Sequence, residues 1–141
     1  MLNFFKKKNI KSSEKIDILS KTASLLIHTA KIDEKYTDKE KIIIQETLIE
    51  LGAKKENITE LMEIAEQNEK NSNQILDFTK DIKNTDKNFK IKLIESLWKI
   101  VYSDNNSDDY ESNLIRRLSG LLYLDNKLVG DIKEKIKKDL K

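Results

Sequence analysis

Oxygen-bearing side chains recur at the same spacing in two short stretches of this 141-residue chain. The first stretch offers Asp33, Thr37 and Glu40, and the second begins with Asp104. The step along the chain from Asp33 to Asp104 equals the step from Glu40 to Glu111, and we call this step the repeat offset. Carboxylate and hydroxyl oxygens suit Ca²⁺, Mg²⁺ or Mn²⁺, whereas the sequence does not supply the nitrogen and sulfur ligands that zinc prefers. The chemistry on offer is therefore the binding of a divalent cation.

The second stretch has the fuller set of oxygen ligands. Its candidates, at relative positions one, three, five and eight, are Asp104, Asn106, Asp108 and Glu111. This order resembles the start of a calcium-binding loop, but an EF-hand needs glycine at position six, where this chain has Asp109. The first stretch has a lysine where a ligand would stand. Either it binds weakly or both stretches contribute to one shared site.

Helix capping explains the two glutamates without a metal. Glu40 follows Thr37 by three residues, and Glu111 follows Asp108 by three residues. Each glutamate can therefore bond back to the amide of its capping residue, which stabilises a helix start by about 1 kcal/mol.

Capping explains the two aspartates less well. Asp33 and Asp104 each stand at the C-terminal end of a predicted helix. A carboxylate there meets the negative end of the helix dipole, which costs roughly 0.3 to 1 kcal/mol. A cation, a lysine or a bond to the following loop amides must offset that cost. Metal binding and local capping are therefore the two alternatives for these stretches.

The apolar pattern predicts an all-α fold of about seven helices in one domain, with residues 1–12 as a basic, aromatic N-terminal segment and 13–141 as the helical domain. The first helix is expected to start at a Ser13 cap and run to about Ile32, and the second to run from the Thr37 box to Gly52. The other starts are expected at Asn57, about Ile75, Asp86, Asp108, and Asp125 or Asn126. The recurrence of the apolar pattern at the repeat offset predicts two helical hairpins that pack around a pseudo-twofold axis.

Composition excludes several classes of function. The chain has no cysteine, so it has no disulfide framework and no Cys nucleophile, and we expect a cytoplasmic protein. His28 is the only histidine and has no partner for a nucleophilic dyad, and no phosphate-binding glycine loop is present, so we expect no enzyme. The net charge is only +2 and the only arginines are Arg116 and Arg117, so we expect no nucleic-acid partner.

The N-terminal residues 1–8 combine Phe4 and Phe5 with three lysines. Such a segment can lie on an anionic bilayer surface, but a single weak anchor binds reversibly at best. We expect instead that the aromatic side chains pack on the domain while the lysines stay solvated. No apolar run is long enough for a membrane span or for the core of a secretory signal.

The chain resembles the tellurite-resistance TerB family over about residues 16–138. The likeness is strongest at Leu76–Lys80, at Leu93–Asp104 and at Tyr110–Leu122, where Glu95-Ser96-Leu97-Trp98 and the Arg116-Arg117 pair are specific. In particular the chain is similar to the short, stand-alone branch of the family. The resemblance implies an all-helical fold of about seven helices and a divalent-metal or stress-response role. The ligands it implies are Asp33, Glu40, Asp104 and Glu111.

The same domain resembles the N-terminal region of a membrane-tethered DnaJ-like co-chaperone, which implies an interaction module and a protein partner. One departure from the family pattern concerns the residue after each aspartate. The family usually has glycine there, and this chain has Glu34 and Asn105. Asparagine tolerates a left-handed backbone better than glutamate does, so the departure matters more in the first loop.

Overall fold

The computed structural model describes the backbone of residues 2–31, 36–71, 76–102 and 109–139, and the side chains of 15–31, 36–71, 78–102 and 114–139. Within these ranges the chain forms α-helices and no strand, which confirms the predicted all-α class with about seven helices. The helices are α1 (Leu2–Ala30), α2 (Asp38–Glu50), α3 (Ile58–Asn71), α4 (Leu76–Ile82), α5 (Lys87–Tyr102), α6 (Asp109–Leu121) and α7 (Asn126–Asp139). None of the described helices is both long and apolar enough to cross a bilayer.

The segment Thr22–Ile27 of helix α1 is enclosed on all sides. All six residues from Thr22 to Ile27 have an exposure of 0%, and six consecutive residues cover every face of a helix. The surrounding elements are α2, α3, α4 and α5, of which α3 makes the most extensive contact. Ile16, near the start of the described side chains of α1, is not enclosed in this way. That residue is 46% exposed, and the buried segment lies further along the helix.

Four hydroxyl side chains are buried in this enclosed helix, namely Ser20, Thr22, Ser24 and Thr29. Each donates to a carbonyl oxygen three or four residues earlier in α1, over 2.7 to 3.0 Å. Ser24 Oγ also lies 2.9 Å from the Ala65 carbonyl oxygen of α3. Because these hydroxyls are satisfied within the helix, they can be buried without the cost of an unpaired polar group.

The repeat extends over three helices in each half. Positions related by the repeat offset are both buried in the pairs Ala23 and Ile94, Leu26 and Leu97, Ile27 and Trp98, Ala30 and Val101, Ile44 and Ile115, Ile58 and Val129, Leu61 and Ile132, and Ala65 and Ile136. Helices α5, α6 and α7 therefore correspond to α1, α2 and α3. In each half the first of these helices contacts both of the others, and α1 also packs against α5. The predicted hairpin repeat is confirmed, and a third helix belongs to it.

Helix α4 connects the two halves and packs against α1. Lys21 of α1 forms ion pairs with Asp81 of α4 and with Asp17 of its own helix. The hydrogen bond to Asp81 is the main reason that the pKa of Lys21 is raised, and the same bond lowers the pKa of Asp81. Asp81 lies on the surface, so the pair adds little to the apolar contact between the two helices.

The C-terminal ends of α2 and α6 confirm the repeat independently. Gly52 follows α2 with φ of 113°, and the amides of Gly52 and Ala53 donate to the carbonyls of Ile49 and Leu48. These two bonds form a Schellman motif. Tyr123, which the repeat offset places opposite Gly52, ends α6 in the same way with φ of 60°. A tyrosine therefore adopts a left-handed conformation that glycine adopts in the first half.

Several predicted helix boundaries are confirmed and one is wrong. Asp86 accepts a hydrogen bond from the Phe89 amide at 2.8 Å, and Asp125 immediately precedes α7 and accepts from the Lys127 amide at 3.2 Å. Ser13 is not a helix start, because α1 begins at Leu2 and runs through it. Asn57 is the last residue of a 3₁₀ turn, Lys55–Asn57, and α3 begins at the next residue, Ile58, so the helix start predicted at Asn57 is confirmed.

The contrast between two glycines yields a stability prediction. Gly52→Ala should lower the free energy of unfolding by about 1 to 3 kcal/mol, because it forces a left-handed conformation on a residue with a Cβ. The added Cβ would also lie 2.6 Å from Lys15 Nζ. Gly120→Ala is the matched control. It lies in an exposed helical position with nothing within 4 Å of its Cβ, and should raise that free energy by about 0.5 to 1 kcal/mol.

Urea unfolding of both variants followed by circular dichroism measures these changes. Equal stability of Gly52→Ala and the parent chain would contradict the role given to the left-handed glycine.

Candidate functional site

Glu40 is held in a capping box at the start of α2. One of its oxygens, Oε1, accepts hydrogen bonds from the Thr37 amide and from the Thr37 hydroxyl, each at 2.9 Å. The Glu40 amide donates back to Thr37 Oγ1 at 3.2 Å. The Glu40 side chain is buried, with an exposure of 4%. Of the two alternatives for this glutamate, helix capping is the one that the described contacts confirm.

Helix α3 brings two further carboxylates to the same end of the molecule, next to the C-terminal end of α1 and the start of α2. We call Glu66 and Glu69 the α3 acidic pair. Glu69 lies 2.8 Å from Lys31 Nζ and 3.4 Å from His28 Nδ1, and its side chain is only 11% exposed. Glu66 lies 3.4 Å from the Tyr36 hydroxyl, which donates to it. The pair therefore lies beside the stretch that carries the first candidate ligands.

Positive and neutral groups already balance the α3 acidic pair. Lys31 pairs with Glu69, and Lys41 Nζ lies 3.5 Å from Glu66 Oε1. Burial and the negative charges of Glu66 and Glu40 raise the pKa of Tyr36 well above that of a free tyrosine. Tyr36 consequently stays protonated and can donate to Glu66 at every physiological pH.

Only one of the four predicted ligands has a side chain among the described residues. Asp33 and Asp104 lie outside them, and so does the side chain of Glu111, whose backbone is the third residue of α6. Only Glu40 has a described environment, which is the capping box. Among the described side chains, no three of the types His, Cys, Asp or Glu come together as a metal would require.

Aromatic residues lie at the corresponding end of the second half. Trp98 and Tyr102 of α5 stack with ring centroids 5.9 Å apart, and Lys133 Nζ lies 5.2 Å from the Trp98 centroid. Burial, together with the negative charge of Glu134, raises the pKa of Tyr102. The two halves share a fold but differ in charge, because the position equivalent to Glu66 is Lys137.

The fold and the acidic segments define the structural class of this protein. It is an all-α protein made of two three-helix repeats, with an acidic segment between the first two helices of each repeat. The family model described as tellurite resistance protein TerB matches residues 19–134, which is most of the chain. The chain therefore belongs to the TerB family. No curated protein and no solved structure is significantly similar to it.

The sequence reasoning missed the α3 acidic pair, although a signal was present. The buried stripe of α3 contains Leu61, Met62 and Ala65, and Glu66 and Glu69 lie four residues after Met62 and Ala65. They therefore continue the inward face of the helix beyond its apolar part. Glutamates on an inward face are expected to meet partners, and these do.

The capping role of Glu40 can be separated from a ligand role by substitution. Glu40→Ala should lower the free energy of unfolding by roughly 0.5 to 2 kcal/mol in a chelator, the range for losing a side-chain cap. Glu40→Gln should retain most of the stability, because glutamine also completes a capping box. Glu46→Ala, at an exposed position of the same helix, serves as the control and should change little. Thermal unfolding in EDTA measures all three, and an unaffected Glu40→Ala chain would contradict the capping role.

Proposed function

We propose that this TerB-family protein binds a divalent cation of the Ca²⁺, Mg²⁺ or Mn²⁺ type, in a stress-response role. The cation would bind through the two acidic stretches, residues 33–40 and 104–111, which we call the acidic linkers. The observation that carries the proposal is the placement of one aspartate after each of two equivalent helices. Asp33 follows the last residue of α1 by three positions, and Asp104 follows the last residue of α5 by two. In the sequence, each aspartate therefore follows closely after the negative end of a long helix.

The repeat strengthens this argument. The helices that end before Asp33 and Asp104 are the two central helices of the fold, and their buried positions correspond at the repeat offset. An unfavourable charge after one helix can be accidental. The same charge after both equivalent helices suggests a common cause. A cation that neutralises both carboxylates supplies one.

The environment of the first linker also supports a cation site there. Glu66 and Glu69 add negative charge from α3, and Glu40 is buried beside the start of α2. Lys31 and Lys41 balance part of this charge and would compete with a weakly bound cation. We therefore expect affinity of the moderate kind, in which the metal is exchanged rather than held permanently. The description of the family as a tellurite resistance protein is the ground for a stress-response role.

The test is a double substitution with a matched control. Asp33→Asn combined with Asp104→Asn should abolish the cation effect, because it removes the first carboxylate after each of the two equivalent helices and leaves the caps intact. Asp38→Asn combined with Asp109→Asn removes the same charge from another pair of positions related by the repeat offset, and should leave binding largely unchanged. A cation present at about 100 times its dissociation constant stabilises the folded chain by about 2.7 kcal/mol, which raises the melting temperature by several degrees.

Melting curves with Ca²⁺, Mg²⁺ and Mn²⁺, together with elemental analysis of the purified protein, measure this effect. The proposal is wrong if none of the three cations shifts the melting temperature of the parent chain. It is also wrong if the control pair loses the shift to the same extent as the aspartate pair.

A second candidate function is a protein-binding module, as the likeness to the N-terminal region of a DnaJ-like co-chaperone implies. The observation that favours it is a pair of exposed isoleucines on the outer face of α2, which we call the isoleucine stripe although Gln45 and Glu46 lie between them. Ile42 is 53% exposed and Ile49, two helical turns later, is 41% exposed. The equivalent positions of the second half are Asn113 and Gly120, so the fold itself does not require these isoleucines. An amphipathic helix of another protein would suit such a stripe.

The second candidate predicts a specific loss of capture. Ile42→Lys combined with Ile49→Lys should abolish the recovery of a partner from native cytoplasm, while Ile64→Lys on α3, which is 38% exposed, should not. The partner is identified by mass spectrometry and then purified, and its binding to the parent chain and to both variants is measured directly. Recovery of the same proteins by the stripe variant and the parent would exclude this surface.

A further inference from the structure

A cleft lies between α6 and α7 with α5 beneath it, and the described residues that line it include none of the proposed cation ligands. Its volume is about 410 Å³, within the range of small-molecule sites. The residues that line it are Trp98, Arg116, Asn126, Val129, Gly130 and Lys133. We refer to it as the α6–α7 cleft.

The charged groups of the α6–α7 cleft are both cations. Arg116 comes from α6 and Lys133 from α7, and neither forms an ion pair with any carboxylate of the described residues. The neighbouring cleft of about 580 Å³ differs, because its lysines share the lining with Asp125 and Asp131. Two cations on facing helices, with no carboxylate partner among the described residues, favour a negatively charged occupant.

The backbone around the cleft favours the same occupant. Asn126 is the first residue of α7, a helix of 14 residues, so the positive end of its dipole is at this cleft. Gly130 lies one turn later on the same face, and a Cβ added there would meet nothing within 4 Å. The absence of a side chain leaves room for a ligand between Asn126 and Lys133.

Trp98 forms the floor of the cleft, and its ring contacts the ammonium of Lys133. Its side chain is 4% exposed, and the Lys133 ammonium lies 5.2 Å from the ring centroid, which holds the lysine over the cleft. The indole Nε1 donor has no acceptor among the described residues. Buried donors of this kind are uncommon, and an oxygen-rich ligand in the cleft would lie against the indole that carries it.

We propose that the α6–α7 cleft binds a small oxyanion, of the phosphate or carboxylate class, through Arg116 and Lys133. The planar guanidinium of Arg116 can contact two oxygens at once, and the ammonium of Lys133 acts as a point charge opposite it. The site uses none of the linker carboxylates, so it stands or falls independently of cation binding.

The sole tryptophan of the chain provides the readout. The full chain is titrated with sodium phosphate in one arm and sodium succinate in the other, at constant ionic strength, and Trp98 fluorescence is recorded. A saturable change in one arm identifies the class of oxyanion, and a change in both identifies an unselective oxyanion site. The amide signal of Gly130, one of three glycines in the chain, is followed by NMR in the same titrations.

Arg116→Gln and Lys133→Gln should each weaken binding by about tenfold or more, because each removes a charge-assisted contact. Arg117→Gln is the matched control, since Arg117 is the adjacent arginine, is exposed and does not line the cleft. It should bind as the parent does. The proposal is overturned if neither Trp98 nor Gly130 responds saturably in either arm, or if Arg117→Gln weakens binding as much as Arg116→Gln.

Discussion

The structure depends on the complete enclosure of one helix. The buried segment of α1 has no solvent-facing side, so every other helix of the first half, and α5 of the second, takes its position from contact with it. Burying a helix all round requires that its polar side chains find partners inside it. The serines and threonines of α1 do so by donating to their own backbone, and Ser24 also reaches α3. The first acidic stretch, residues 33–40, directly follows this helix in the sequence.

Much of the fold could be predicted because it is encoded locally. The cap at Asp86, the capping box at Thr37 and Glu40, and the glycine at the end of α2 depend on neighbouring residues. The start of α1 could not be predicted in this way. Ser13 looks like a cap in sequence, but the helix begins at Leu2 and runs through it, since serine is a common cap residue that is also found inside helices. The burial of Ser24 was hidden for the same reason, because a polar residue indicates a surface unless its partner is known.

The candidate site was only partly predictable. The capping role of Glu40 could be predicted, because both partners of the box lie close together in the sequence. The α3 acidic pair was missed, because its partners Lys31 and Tyr36 lie 30 or more residues away in sequence. The α6–α7 cleft was likewise out of reach, since Arg116 and Lys133 meet only after α6 and α7 pack on α5. The residues of both sites lie far apart in the sequence and come together only in the fold. Their residue types alone therefore could not predict these sites.

Tyr123 marks a difference between the two repeats that affects local stability. Its left-handed backbone at the end of α6 stores strain that glycine avoids at the same place in the first half. A junction under strain separates at a smaller free energy than a relaxed one. Transient opening of the native protein would then begin where α6 turns into α7, and amide hydrogens there would exchange with solvent before those at the end of α2. Two halves of one architecture would thus form two cooperative units of unequal strength.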